Sequence, residues 1–250
     1  MTATPVDAIP VITRAEVESL AATEYARLAD QLRSLNEDDW TKPTVCDLWD
    51  VRAMAGHNLA MMVDFTSFKR LMGRMSAAGK AAKASGVELI DAMTAGQVAD
   101  TASLSNDELI RRTDETGPRA ARWRGKAPWL FRKMPMKEKV GGKPETWRMG
   151  YLLHVILTRD PWMHRTDIAA ATGHTLVLTP EHDGRIVADV VAEWARRHEQ
   201  PFSLTLGGPA GGDFVVGEGG ERIEMDAVEF CRVLSGRGSR PGLLAQEVPF

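Results

Sequence analysis

The chain has 250 residues, 44% hydrophobic and 26% charged, with a net charge of -3. That length fits one large domain or two small ones with a buried core, and the near-neutral charge gives no general attraction to nucleic acid or to an anionic membrane. No apolar run approaches the ~20 residues that span a bilayer, and the opening MTATPVDAIPVITRAEVE lacks the basic-then-apolar layout of a signal peptide. Cys46 and Cys231 lie far apart and form no CxxC motif, so a reducing cytoplasm is the expected compartment.

In chain order, residues 13–36 carry Val17, Leu20, Ala21, Tyr25, Leu28 and Leu32 at helical spacing, with Thr13 and Glu16 as a capping box. Pro43 breaks any helix in DDWTKPTVCDLW. A second helix is expected to open at Asp47 or Trp49 and run to about Met75, followed by an Ala/Gly/Ser-rich, partly helical stretch over 76–103. Ser105 and Glu108 form another capping box, launching a helix to about Arg124. The segment 119–143 interleaves basic residues with Trp123, Trp129 and Phe131; it reads as a solvated connection or as a lid over a pocket. A long helix is expected from Pro144 to about Gly173. Beyond it come a helix over 181–198, a strand at FSLTLGG, a hairpin-like pair turning at Gly219-Gly220, and a short helix stopped by Gly236. The expected fold is α+β: a four-helix bundle over residues 1–173, then a small α/β domain over 174–250.

The chemistry concentrates in RDPWMHRTD. Asp160 and His164 are an i, i+4 pair that leaves one helix face about one turn apart. His57 lies near the apolar face of the second helix, which suits a core histidine or a third ligand from a facing helix. Two imidazoles and one carboxylate suit Zn²⁺ with a position open, and also accommodate Fe²⁺, Ni²⁺ or Mn²⁺. Pro161 poses a choice. Either Asp160 is an N-cap with Pro161 as the first helical residue, or the helix runs through the proline and leaves the carboxylate free to coordinate.

The blocks DDWTKPTVCDLWDVRAMAGHNLAMM, RDPWMHRTDIAAATG and DAVEFCRVLSGRG, in that order, resemble the maleylpyruvate isomerase family of mycothiol-dependent enzymes, relatives of the DinB-like helical bundles. The resemblance places His57, Asp160 and His164 at the family's metal-ligand positions, with Asp160 one methylene shorter than the glutamate usual there. It also implies a sterol-carrier-like C-terminal domain. The implied cofactors are a divalent metal, usually zinc, and mycothiol or a similar thiol. The implied chemistry is thiolate addition to a small electrophilic substrate that can carry a carboxylate, giving isomerisation or S-transfer. A non-catalytic carrier of an apolar ligand and a hydrolase using metal-bound water are the competing functions.

Several other residues have candidate roles. Asp167, three positions after His164, is placed to orient its imidazole, or else is a surface charge. Arg159 and Arg237 are candidates for an anionic group of substrate or cofactor, against exposed salt bridging and helix-end carbonyl capping respectively. His154 reads as structural. Cys46 is expected to be buried packing rather than a nucleophile, and Trp40 and Trp49 to pack the loop under the bundle's end.

Overall fold

The computed structural model describes residues 3–250. In chain order the elements are β1 (Thr4–Pro5), α1 (Arg14–Arg33), α2 (Val51–Asp64), α3 (Phe68–Ser85), α4 (Leu89–Thr101), α5 (Asn106–Lys126) and α6 (Trp129–Arg132). They continue with β2 (Pro135–Val140), β3 (Lys143–Arg148), α7 (Met149–Tyr151), α8 (Leu157–Thr172), α9 (Arg185–His198), β4 (Phe202–Gly207), β5 (Gly212–Val216), β6 (Glu221–Asp226) and α10 (Ala227–Arg232). No helix among the described residues is long and apolar enough to cross a membrane. The α+β class is as expected: a helical unit and an α/β unit.

The division is more interleaved than a single cut at 173. One compact unit holds Ala15–Ala127 and His164–Thr175; the other holds the segment ending at Arg14, Pro128–Met163 and Leu176–Phe250. The early segments join the second unit for a local reason: β1 pairs in parallel with β5, and Glu145 of β3 ion-pairs with Arg197 of α9 at 2.7 Å.

In the helical unit, α1 buries Val17, Leu20, Ala21, Tyr25, Leu28 and Leu32, the face its spacing predicts. Arg124 of α5 is fully buried and donates to the Tyr25 hydroxyl at 2.8 Å, so this member of the basic segment belongs to the interior. Gly117 of α5 lets the helices approach, since a Cβ there would stand 2.8 Å from Tyr25 Cβ. The second helix opens at Asp50 rather than at Asp47 or Trp49, because the Asp50 carboxylate accepts from the Ala53 N–H at 2.7 Å. Ser67 caps a separate α3, and α3 and α4 account for the Ala/Gly/Ser-rich stretch. Ser105 caps α5 as its motif predicts.

The α/β unit has a four-stranded sheet in the order β1-β5-β4-β6. Strand β4 alternates strictly, burying Phe202, Leu204 and Leu206 against Ile186, Val190 and Trp194 of α9. The expected pairing of β5 with β6 does not form. Strand β4 lies between them, antiparallel to β5 and parallel to β6. The link between β5 and β6 therefore passes the start of β4, and Gly220 is required there. Its φ is +83°, and a Cβ would meet the Pro201 carbonyl oxygen at 2.0 Å.

A further difference lies at 135–148, where a helix was expected from Pro144. Strands β2 and β3 form an antiparallel hairpin turning at Gly141-Gly142, both at positive φ, the conformation that matches strand twist in a tight hairpin.

Candidate metal centre

From Met149 to Thr172 the chain is helical without interruption, through α7, a π turn at Leu152–Ile156 and α8. Pro161 sits inside α8, so the N-cap reading of Asp160 is overturned. A proline at this position removes a hydrogen bond to the Leu157 carbonyl and crowds that oxygen. The helix accommodates it just upstream, where the π turn widens the coil and Leu157 has ψ of -1°, well away from the ~-42° of a regular helix. Asp160 thus stays in register with His164, half-buried, with its carboxylate on the helix side rather than at a helix start.

The loop 42–50 brings the other half of the site. Its ends are joined by Val51 N–H to Lys42 O at 3.0 Å, and its interior by Trp49 N–H to Cys46 O at 2.8 Å. The Thr44 hydroxyl donates to Trp49 O at 2.7 Å. These bonds hold the Trp49 ring against His57, centroids 4.7 Å apart and planes 32° apart. The same ring lies 5.8 Å from His164. His57 and His164 meet edge to face at 5.2 Å, and both are buried. Trp49 is therefore part of the site rather than loop packing alone.

His57, Asp160 and His164 each offer a ligand atom within 4.8 Å of the others. Ligand atoms around a tetrahedral zinc with ~2.0–2.2 Å bonds are themselves about 3.3–3.6 Å apart, so side-chain rotations of about an ångström close the set. Two imidazoles and a carboxylate are the donor chemistry of a divalent-metal site with room for an outside ligand. Asp167 is buried, with Oδ2 3.4 Å from His164 Nδ1.

Cys46 is half exposed rather than buried, and its sulfur comes within 4.8 Å of ligand atoms of both His164 and Asp167. Sequence distance conceals this neighbour, because His164 lies far along the chain from Cys46.

Arg159 is not at a ligand surface. It is fully buried in the α/β unit, paired with Asp189 at 2.6 Å and Glu193 at 2.8 Å, and it donates to Pro249 O at 3.0 Å. Burial opposes its charge, but Asp189 and then Glu193 more than compensate and raise its pKa. His154 lines a cavity of about 190 Å³ with Tyr151, Asp189 and Glu193. Arg237 is half-buried on the turn that follows Gly236.

The geometry defines a class: a helical protein with a histidine–carboxylate cluster that has the donor set of a divalent metal. Residues 21–169 match the mycothiol maleylpyruvate isomerase N-terminal domain, and the chain belongs to that family. Among solved structures, the mycothiol-dependent maleylpyruvate isomerase matches at 15% identity over 94% of this chain and 93% of that one, with a TM-score of 0.54. A mutant of that isomerase, in which a histidine is replaced by alanine, matches at 16% identity with the same coverage and TM-score. At such identities the likeness shows the fold. No curated protein sequence matches the chain.

Proposed function

We propose that this protein is a cytoplasmic, metal-dependent enzyme that uses mycothiol, or a similar low-molecular-weight thiol, for isomerisation or S-transfer on a small electrophilic substrate. The observation that carries the reading is the convergence of His57, Asp160 and His164 in a chain of this family. When bound there, zinc supplies the Lewis acidity that keeps a thiol sulfur deprotonated at neutral pH.

The protein's own groups prepare that chemistry. His57 and His164 present imidazole nitrogens from separate helices, so the donor set depends on the fold. Asp167 holds its carboxylate 3.4 Å from His164 Nδ1, where its charge can orient the imidazole. Trp49 covers both rings and excludes water from that side. Asp160, half exposed, supplies the negative charge and leaves the site open to an outside ligand. Arg237 is proposed to take an anionic group of the thiol or substrate.

The test is metal analysis of the purified chain with thiol titration. Wild type is expected to hold one zinc per chain and to isomerise maleylpyruvate only with added thiol; His164→Ala is expected to fold and to lose both metal and activity, and His57→Ala to fold and to lose the activity. A folded wild-type protein that takes up no zinc refutes the reading.

A further inference from the structure

We propose a second cation position in the helical unit, made by Cys46 Sγ, His164 and the Asp167 carboxylate, at which the metal rests when no outside thiol is present. The ligand atoms of these side chains lie within 4.8 Å of one another. The 3.4 Å between Asp167 Oδ2 and His164 Nδ1 is longer than the ~2.7–3.2 Å of a good N–H···O bond. It does match the spacing of about 3.3 Å between two donor atoms each ~2.0–2.1 Å from one tetrahedral zinc. Cys46 adds a sulfur donor from a half-exposed loop, whereas Cys231 is fully buried and its thiol pKa is pushed up by that burial.

His164 belongs to this group and to the group with His57 and Asp160. A neutral imidazole offers one lone pair, so the ring serves one cation at a time and the two positions are alternatives. Charge decides between them. Thiolate and carboxylate together neutralise a divalent ion at the Cys46 position. At the His57 position the lone carboxylate leaves one positive charge, which an arriving thiolate neutralises instead. An outside thiol therefore draws the cation from the first position to the second. Sulfur in the donor set also favours zinc or cobalt over magnesium or manganese. This alternation rests on the proposed metal reading of the His57 group; the Cys46 position itself does not.

Cobalt(II) titration of the full chain, with a phosphine reductant and no thiol, tests both. Wild type is expected to bind one cobalt per chain and show a near-ultraviolet sulfur-to-cobalt charge-transfer band. His57→Ala keeps that band. Cys46→Ser loses it but keeps the visible cobalt bands of the His57 position. No band in wild type, a band surviving in Cys46→Ser, its loss in His57→Ala, or two cobalt ions per chain each overturns the inference. Loss of all cobalt from folded Cys46→Ser instead refutes the metal reading of the His57 group and leaves the Cys46 position standing. Should a variant fail to fold, alkylation of wild type decides: bound cobalt is expected to protect Cys46 from iodoacetamide, and undiminished labelling overturns the inference.

Discussion

Arg159→Met tests whether the arginine beside Asp160 is structural or meets a ligand. The substitution keeps an unbranched apolar stem and removes the guanidinium that stands between Asp189 and Glu193. Both acids are buried, so neither regains full hydration when the cation goes. Glu193 keeps a second cation, Arg197 at 2.8 Å, and accepts from the Tyr151 hydroxyl at 2.6 Å. Asp189 loses its ion pair with Arg159, and the Pro249 carbonyl loses a donor. Breaking a buried pair from one side costs about 3–5 kcal/mol. At ~2–4 °C per kcal/mol for a protein of this size, the melting midpoint is expected to fall by roughly 6–20 °C.

Thermal and urea unfolding measure that loss, with Arg111→Met as a surface control. Arg111 pairs with Glu115 at 2.7 Å on an exposed helix face, where such a pair is worth ~0.3–0.5 kcal/mol. Adding Asp189→Asn to Arg159→Met should recover part of the stability, because it removes the uncompensated charge. The reasoning fails if Arg159→Met is as stable as the control but loses thiol-dependent activity. That result would mean the guanidinium acts on a ligand.

Two further expectations follow from the packing and the charges. Gly56→Ala places a Cβ 2.3 Å from the Thr101 hydroxyl oxygen; overpacking of about 1–3 kcal/mol outweighs the ~1 kcal/mol gain in helix propensity, so urea unfolding should show a net loss, and a stabilised variant would contradict the close approach of α2 and α4. The pH dependence has a definite sign: burial pushes Glu193 up, but Arg159, Tyr151 and Arg197 together hold it below the usual glutamate range. A carboxyl depressed in the folded state stabilises above its unfolded pKa of ~4.3, and that contribution disappears as pH falls through the folded value. Between about pH 6 and pH 3, wild type should therefore lose stability more steeply than Glu193→Gln; parallel curves would show that Glu193 is not depressed.

What the sequence disclosed and what it concealed divide by range. The helical positions of Val17 through Leu32, the cap at Ser105 and the shared face of Asp160 and His164 are all set within a turn or a few turns of helix. Spacing reveals such features without knowledge of the rest of the fold. The hairpin at 135–148 is also local, but its alternating positions carry lysines and glutamates instead of an apolar face, so the period-2 signal was masked. Gly220 was visible as a turn residue; that it must pass the Pro201 carbonyl depends on β4 lying between β5 and β6, which no local pattern states. Arg159 looked like a surface charge because its partners, Asp189 and Glu193, arrive from a different helix.

The site follows the same division. The i, i+4 pair is local, and Pro161 left two backbone solutions open in the sequence. The choice is made upstream, where the π turn and the altered ψ of Leu157 make room for the ring and keep the helix unbroken. Had the chain turned at Asp160 instead, the carboxylate would have accepted from its own backbone N–H groups and been removed from the donor set. The contribution of loop 42–50 is non-local: the Thr44 hydroxyl and the Cys46 carbonyl fix Trp49 over His57, and the same turn brings a sulfur to His164. A histidine that reads as one ligand in a local pair is thereby shared between two donor groups. That sharing is a property of the folded loop and helix together, and it is why the behaviour of His164 has to be tested with both His57 and Cys46 varied.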